Sequence, residues 1–417
     1  MDSAEREGLR PKGNVPNLRF PEFQGEWEKC TFDKIAQYKK GPFGSALKKD
    51  IFVPQSKDTI KVYEQQNAIK KDWTLSRYYI TKGYFNSHMK QFVAKAGDLI
   101  VSCAGTIGEI YELPQDAEEG VFNQALMRVQ VNDEAVNKEI FITVFSSMID
   151  KFSKIYSNGS AIKNIPPFAD LKKTQVFLPC KEEQKKIAKL LALLDERIAT
   201  QNKIIDKLQF LIKGLNDFLY TQYGGEVLTS FAELGTSYSG LSGKSAQDFG
   251  SGKPFITYLN VYSNNVIKEN DFQYVAIKDD EKQNVVKYGD VLFTLSSETP
   301  EEVGVGSVYL GKEKVYLNSF CFGIHITNTE VAFPPYLSYY VSLTAFRKFI
   351  YPYAQGSTRF NLCKADFEKA SIKLPTLADQ KRIYSILSHI DNKIITERQM
   401  LDLYNSQKQY LLRQMFI

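Results

Sequence analysis

Two stretches of sequence decide the organisation of this chain: LPCKEEQKKIAKLLALLDERI at 178–198 and LPTLADQKRIYSILSHIDNKI at 374–394. Each opens with Leu-Pro, and the same order of glutamine, isoleucine, leucine, aspartate and isoleucine follows in both. The second copy lies 196 positions after the first. A long pattern repeated in this way indicates that the chain arose by tandem duplication.

The repeat extends upstream of these two stretches. VAKAGDLI at 93–100 parallels VVKYGDVL at 285–292, and GPFGS at 41–45 parallels GLSGKS at 240–245. The offset between paired landmarks drifts between about 192 and 199, as insertions in loops would produce. We therefore expect two globular halves with the same fold and loops of different length.

The apolar residues after each Leu-Pro recur at alternating spacings of four and three, which is the heptad seam of a coiled coil. Gln201 and Glu397 interrupt the two seams at the same level, and Lys408 interrupts the second seam once more. A straight core helix would drift off a strict seven-residue repeat, so the sequence predicts that the two helices pair, in a direction that a heptad alone leaves open. The seam positions are Ile187, Leu191, Leu194, Ile198, Ile205, Leu208, Ile212 and Leu215 in the first copy, and Ile383, Leu387, Ile390, Ile394, Leu401, Tyr404 and Leu411 in the second.

The segments before each helix contain short apolar runs bounded by Gly, Asp and Asn, such as LIVSCAG and FGIHITN, which are typical of strands. The predicted fold class is α+β, with a globular domain at 1–182, a helix at 183–222, a second globular domain at 223–376 and a final helix at 377–417. Residues 183–219 would span roughly 55 Å at about 1.5 Å per residue. Gly224-Gly225 is predicted to end the first long helix.

Composition narrows the class of protein further. The chain has 417 residues, 43% of them hydrophobic and 24% charged, with a net charge of +5; this suits a folded protein of two domains and permits, without requiring, a polyanionic partner. The five cysteines include no C-x-x-C, so neither a disulfide framework nor a zinc site is expected. Because the sequence lacks a long apolar run, we expect a cytoplasmic protein.

The sequence contains near matches to catalytic motifs, but their spacing is wrong. GLSGKS lacks the first glycine of a phosphate-binding loop, since Tyr238 stands in its place. NIPPF at 164–168 resembles the N-P-P-Y/F loop of amino-methyltransferases but carries an extra residue, and the three histidines have no metal-ligand spacing. No catalytic residue, metal ligand or bound cofactor is predicted in this chain.

Taken together, the chain resembles the specificity (S) subunit of type I restriction-modification enzymes over nearly its whole length. The resemblance rests on the opening VPNLRFPEFQGEWE at 15–28, the two G-D turns at 97–98 and 289–290, and the two junctions at 178–198 and 374–394. It implies that each globular domain is a target recognition domain reading one half of a bipartite, asymmetric double-stranded DNA site. It also implies that the two helices pair antiparallel as a spacer.

The same resemblance implies partners. The helix pair would dock two modification subunits, which methylate adenine with S-adenosylmethionine. Two restriction subunits, which use ATP and Mg²⁺ to translocate and cleave DNA, would complete the complex. Those cofactors would belong to the partners, and the specificity subunit itself would have no catalytic centre.

Candidate DNA-facing residues are the lysines and polar side chains of loops at equivalent places in the two halves. Lys and Arg are expected to contact phosphates, and Gln, Asn, Ser, Thr and Tyr to discriminate bases. In the first half they are Lys39, Lys40, Ser45, Lys48, Lys49, Gln65, Gln66, Asn67, Ser160, Lys163 and Asn164. In the second half they are Ser242, Lys244, Ser245, Tyr258, Asn260, Tyr262, Ser357, Thr358, Arg359 and Asn361.

Two alternatives remain at this point. A self-contained DNA methyltransferase or nuclease would bind S-adenosylmethionine by itself. A coiled-coil adaptor without a nucleic-acid role would fit the modest net charge, and it predicts no DNA retention even with partner subunits present.

Overall fold

The computed structural model of the protein describes residues 13–156 and 168–416. Contacts divide the chain into a first unit, Met1–Ala199 with Leu403–Ile417, and a second unit, Thr200–Asp402. Two long helices contribute to both: the central helix, Lys181–Tyr223, and the C-terminal helix, Leu377–Met415. Each unit thus contains one globular half, one end of the central helix and the opposite end of the C-terminal helix.

The first unit is built on two four-stranded sheets. One is antiparallel, in the spatial order Ala36–Lys40, Leu126–Val131, Leu99–Ser102 and Ile110–Glu112. The other runs Tyr79–Thr81, Thr59–Tyr63, Gly120–Phe122 and Val93–Ala94, with its middle pair parallel. A separate antiparallel pair, Glu28–Thr31 with Gln175–Leu178, leads into the central helix.

The second unit repeats this arrangement. Its antiparallel sheet has the order Gly235–Ser239, Cys321–Ile326, Val291–Thr294 and Gly306–Val308. A three-stranded sheet follows the order Gln273–Val275, Phe249–Ile256 and Tyr316–Leu317, again with one parallel pair. Val227–Thr229 pairs with Ile372–Leu374 ahead of the C-terminal helix, and Ser296–Ser297, Phe360–Leu362 and Ala354–Gln355 form a small third sheet. The duplication predicted from the sequence is therefore present in the strand order.

α-Helices connect the strands, most of them at matching places in the two units; Lys82–Tyr84 has no α-helical counterpart among the described residues of the second unit. Where the first unit has one long helix, Lys138–Tyr156, the second unit has two shorter helices, Pro334–Tyr340 and Thr344–Ile350. In the first unit the helices are Phe32–Ile35, Gln65–Lys70, Lys82–Tyr84, Lys138–Tyr156 and Phe168–Lys173. In the second unit they are Phe231–Leu234, Tyr258–Ser263, Pro334–Tyr340, Thr344–Ile350 and Lys364–Lys369.

Glycine turns repeat between the units as the sequence predicts. Gly97 and Gly289 have φ of 85° and 88°, in the left-handed region that favours glycine. The aspartate after each accepts a backbone hydrogen bond, Asp98 from Lys95 at 3.0 Å and Asp290 from Lys287 at 2.8 Å. The predicted break at Gly224-Gly225 is confirmed, since the central helix ends at Tyr223.

The core of the first unit is completed by the end of the C-terminal helix. Met415 is buried among residues that include Phe32, Leu99 and Phe141, and Leu411, Leu412 and Phe416 pack against the same cluster. The ring of Phe416 meets that of Trp27 edge-on, with centroids 6.1 Å apart. The last residues of the chain thus belong to the fold of its N-terminal half.

The core of the second unit is completed in the same way by the end of the central helix. Leu219, which stands at the position equivalent to Met415, is buried with Phe231 and Phe293. Ile212 and Leu215 pack against this cluster as well. The first half therefore packs on the end of the C-terminal helix, which begins after the strand pair of the second half. The second half packs on the end of the central helix, which begins after the strand pair of the first half.

The two helices run antiparallel within each unit. In the first unit Lys408 pairs with Asp195, and Arg197 Nε donates to the Tyr404 hydroxyl at 3.0 Å. In the second unit Gln201 Nε2 donates to the Glu397 carbonyl at 3.1 Å, and the Arg382 guanidinium lies 5.3 Å from the Tyr223 ring centroid. Residue numbers rise on one helix as they fall on the other in both places.

The predicted heptad positions lie on the inner faces of these helices. Ile187, Leu191, Ile205, Ile383, Leu387 and Ile394 are buried, and the remaining seam positions are half-buried. Gln201 and Glu397, the polar interruptions, are 3% and 6% exposed and bond to each other. The two interruptions at one level are thus partners across the helix pair.

The N-terminal segment is held to the same helices. Arg19 forms a bidentate ion pair with Glu183, with Nε 2.8 Å from Oε1 and Nη2 2.6 Å from Oε2. The Glu183 side chain has no exposed surface. The Leu18 amide donates to the Gln414 carbonyl at 2.9 Å, so the segment before the first strand bridges the beginning of one helix and the end of the other.

Candidate nucleic-acid interface

Two equivalent short helices, Gln65–Lys70 and Tyr258–Ser263, each follow a strand of the sheet that contains a parallel pair, and together they carry six of the predicted DNA-facing residues. Their asparagines, Asn67 and Asn260, are each only 2% exposed. Asn67 Nδ2 donates to the Asp72 and Leu75 carbonyls at 2.9 and 2.8 Å, and its Oδ1 accepts from the Glu64 amide at 2.8 Å. These contacts commit its side chain to the loop that follows.

Asn260 makes the same kind of contacts in the second unit. Its Nδ2 donates to the Lys268 carbonyl at 2.8 Å, and its Oδ1 accepts from the Lys268 amide at 3.1 Å. The expectation that Asn67 and Asn260 contact bases is therefore corrected, because burial and backbone bonds occupy both amides. They are positioning residues that hold the loops beside them.

We predict that Asn260→Ala lowers the stability of the second unit without changing which DNA sequence is recognised. The carbonyl and the amide of Lys268 lose their partner at a part-buried site, which costs about 1–3 kcal/mol, and urea unfolding measures the loss. The exposed Ser357→Ala serves as the control and should stay within about 0.5 kcal/mol of the wild type. A changed DNA sequence preference at unchanged stability would return Asn260 to the base-reading set.

The first residue of each short helix donates into the segment that follows a strand of the antiparallel sheet, Leu99–Ser102 in the first unit and Val291–Thr294 in the second. Gln65 Nε2 donates to the Thr106 carbonyl at 3.0 Å and also to that of Ala104. The Tyr258 hydroxyl donates to the Ser296 carbonyl at 2.8 Å. Ala104 and Ser296 are equivalent in the repeat, so different side chains make the same contact in the two units. Gln66, next to Gln65, is exposed.

Tyr262 extends this site in the second unit. Its ring stacks on Tyr258 with centroids 6.0 Å apart, and its hydroxyl donates to Glu302 Oε1 at 2.7 Å. Ser297 Oγ donates to the other carboxylate oxygen at 2.9 Å. The bond to Tyr262 lowers the pKa of Glu302 and raises that of Tyr262. Burial raises the pKa of Tyr258, so both phenols stay protonated hydrogen-bond donors at neutral pH.

A hairpin of the second unit lies beside these tyrosines. Asn361 pairs with Ser296 in the small third sheet, and Ser296 is the residue that Tyr258 contacts. Ser357, Thr358, Arg359 and Asn361 are exposed, and the Arg359 guanidinium lies 5.8 Å from the ring centroid of Phe320. We call Tyr258, Tyr262, Ser357, Thr358, Arg359 and Asn361 the second polar face.

The predicted DNA-facing residues Ser242 to Ser245 lie in a loop that contacts Ala276 and Glu281. Lys244 Nζ contacts Glu281 Oε2 at 2.5 Å and the Ala276 carbonyl at 2.7 Å, and its side chain is only 8% exposed. Ser242 and Ser245 are exposed, although Ser245 Oγ donates to Asp248 at 2.8 Å. The prediction that Lys244 contacts phosphate is corrected, because its ammonium group is neutralised within the protein.

The first unit exposes a more basic loop. Lys40, Ser45, Lys48 and Lys49 are exposed, whereas Lys39 Nζ donates to Gln91 Oε1 at 2.9 Å and lies 5.1 Å from the Phe92 ring centroid. We call Lys40, Ser45, Lys48, Lys49 and Gln66 the first polar face. The predicted residues Ser160, Lys163 and Asn164 lie outside the described residues.

Sequence reasoning missed two residues at these sites. Glu302 orients Tyr262, although an acidic residue is not expected on a face that meets DNA. Phe43 is 89% exposed, at the tip of the basic loop. Its signal in the sequence is a lone aromatic residue between two glycines, Gly41 and Gly44.

Within residues 13–156 and 168–416, no cluster of histidine, cysteine or acidic side chains is arranged to hold a metal ion. In the same part of the chain, none of the helices has both the length and the apolar character needed to span a bilayer. The fold and its two polar faces define the class: an internally duplicated α+β protein whose halves share a pair of long helices.

Comparison with known proteins gives this class a family. The family model described as the type I restriction modification DNA specificity domain matches residues 24–209 and again residues 235–403. The chain therefore belongs to the type I restriction-modification DNA specificity family, with one copy of the domain in each half.

Individual relatives agree with this assignment. A putative type I restriction enzyme MjaX specificity subunit from Methanocaldococcus jannaschii is 26% identical, over 88% of this chain and 92% of the relative. The type I restriction enzyme MjaVIII specificity subunit from the same organism is 22% identical, over 91% and 89%. A solved structure from work on assembly and conformational transition of the type I R-M system shares the fold, with a TM-score of 0.60 at 15% identity over 93% of this chain and 96% of that one.

Proposed function

We propose that this chain directs a type I restriction-modification complex to DNA, each unit reading one half of a bipartite, asymmetric site. The observation that carries the proposal is that two units with the same strand order present different side chains at equivalent places. Gln65 in the first unit corresponds to Tyr258 in the second, and the exposed Gln66 to the exposed Leu259. Two readers with one fold and different side chains suit a site whose halves differ in sequence.

The polar faces carry the chemistry that this reading needs. Lys40, Lys48, Lys49 and Arg359 are exposed cations that neutralise phosphates and fix register. Exposed amides and hydroxyls at Gln66, Ser357, Thr358 and Asn361 hydrogen-bond base edges. The stacked tyrosines present protonated phenols beside that hairpin.

The helix pair acts as the spacer between the half-sites and as the docking surface for two modification subunits. In support, the central helix exposes large apolar side chains: Phe210 is 81% exposed, Phe218 61% and Leu211 51%. Apolar groups left in water at this density mark a protein interaction site. Internal duplication gives the backbones of the two helices approximate two-fold equivalence, which suits two copies of one partner.

The catalytic chemistry belongs to the partners in this proposal. The modification subunits supply S-adenosylmethionine-dependent adenine methylation, and two restriction subunits supply ATP- and Mg²⁺-dependent translocation and cleavage. The chain itself binds neither cofactor and works in the cytoplasm, where its DNA lies.

We predict that the chain, co-expressed with the modification subunit from the same source, directs adenine methylation to a split motif with a fixed gap. Single-molecule sequencing of genomic DNA maps the methylated positions. Exchange of residues 223–376 for those of a relative should change one half-site and leave the other half and the gap unchanged, because the first unit and the helices are retained.

Four results would oppose the proposal. A complex that methylates a continuous motif, or one in which the exchange alters both halves, would reject the assignment of one half-site to each unit. If no complex forms and the chain alone binds S-adenosylmethionine, a self-contained methyltransferase explains the chain better. If the chain forms a complex that does not retain DNA, a coiled-coil adaptor explains it better.

A further inference from the structure

The first unit contains a cavity of about 650 Å³ between the helix Lys138–Tyr156 and the ends of the two long helices. Leu191, Leu412 and Phe416 form part of its apolar lining. Thr143, Asp195 and Lys408 contribute polar groups. Its volume lies within the range of about 300–1,000 Å³ found for ligand sites in proteins.

The second unit fills the equivalent place with its own side chain. The Tyr339 ring packs near Tyr384, with centroids 6.0 Å apart, and its hydroxyl donates to Asp391. Asn216, from the end of the central helix, donates to the Tyr339 carbonyl at 2.9 Å. A phenol ring and its hydrogen bond thus seal the junction between the helix Pro334–Tyr340 and the long helices.

The first unit keeps the acceptor of this bond but not the ring. Asp195 is the repeat equivalent of Asp391, and Thr143 is the equivalent of Tyr339, each 196 positions earlier. Asp195 pairs instead with Lys408, which stands where the second unit has Ile212. The side chains of Asp195 and Lys408 are 51% and 31% exposed, so a partner reaches this carboxylate from solvent.

We propose that the cavity of the first unit receives a tyrosine side chain of one modification subunit, whose hydroxyl donates to Asp195. This inference rests on the proposed function, in which the long helices dock those subunits. The occupant is argued from the molecule itself, because the second unit shows which group fits between the same elements and the same carboxylate. A carboxylate accepts up to about four hydrogen bonds, so the pair with Lys408 leaves capacity for a phenol.

The proposal makes the two modification subunits inequivalent. The one bound at the first unit inserts an aromatic anchor into this pocket and removes it from water, the type of contact that dominates binding energy at interfaces. The one bound at the second unit meets a site that Tyr339 already fills. The two copies therefore bind with different affinities to a chain that is internally duplicated.

Thr143→Tyr tests this by filling the cavity from within, as Tyr339 does in the second unit. Native mass spectrometry of the full chain titrated with the modification subunit should show two copies on the wild type. The variant should keep one copy, and binding of the other should weaken at least about tenfold. Thr143→Val is the matched control: it leaves the cavity open and should retain both copies.

A second variant fills the same cavity from the opposite wall. Ala192→Phe places a ring there from an exposed position of the central helix, and it should reproduce the loss if Thr143→Tyr fails to fold by circular dichroism. A folded cavity-filling variant that binds both copies with wild-type affinity would overturn the inference and leave the proposed function standing. A wild-type chain that binds no modification subunit would overturn both.

Discussion

Deletion of residues 403–417 is expected to unfold the first unit, although the deleted residues lie at the opposite end of the sequence. Met415 is 3% exposed, and Leu411, Leu412 and Phe416 pack on the same core. Truncation of one buried methionine to alanine costs about 2–5 kcal/mol. Loss of four apolar side chains together therefore removes a large part of the free energy of unfolding, which is roughly 5–15 kcal/mol for a domain.

Hydrogen exchange of the full chain and of the truncated chain measures this effect by region. The strands Leu99–Ser102 and Leu126–Val131 of the first unit should lose protection, while Val291–Thr294 and Cys321–Ile326 of the second unit should keep it. Met415→Leu conserves volume, should cost less than about 1.5 kcal/mol, and serves as the control. Equal protection of both units after truncation would contradict the packing described for the C-terminal helix.

Arg19→Ala is expected to destabilise the first unit by about 3–5 kcal/mol, because it leaves the buried Glu183 carboxylate without its partner charge. Glu183 is fully buried, and both of its oxygens are bound by the Arg19 guanidinium. The arginine side chain is itself only 13% exposed, so little water reaches the pair. Arg19 precedes the first strand, and its loss would also release the N-terminal segment from the central helix.

Urea unfolding followed by tryptophan fluorescence is a direct measurement, since Trp27 lies in the affected core. Arg19→Lys keeps the charge but not the bidentate geometry, and should fall between the wild type and alanine. The pair Arg19→Met with Glu183→Leu removes both charges and should recover most of the stability. A loss below about 0.5 kcal/mol for Arg19→Ala would mean that water solvates Glu183 after all.

The duplication, the helix pair and the two polar interruptions were predictable, because each leaves a regular trace in the sequence. Spacing of Ile187, Leu191 and Leu194 fixes one face of a helix, and Gln201 and Glu397 share a heptad position. Backbone geometry was predictable at Gly97 and Gly289, where a left-handed turn requires glycine. Each of these features is a regular pattern in the sequence, and the fold retains it.

The roles of single polar residues were not predictable to the same extent. Asn67 and Gln66 are neighbours of similar chemistry, yet the first is buried and bonded to the backbone while the second is exposed. Lys244 resembles any loop lysine until Glu281 comes beside it from 37 residues away. Which side of a loop faces water depends on such distant partners, and spacing along the chain does not encode them.

The shared cores also constrain how the protein is made. A ribosome completes the residues of the first globular half early, yet that half lacks Met415 and its neighbours until the C-terminal helix has been synthesised. A chain truncated before the C-terminal helix is therefore incomplete in the core of the half that was made first. Completion of the core in the half made first therefore waits for synthesis of the C-terminal helix.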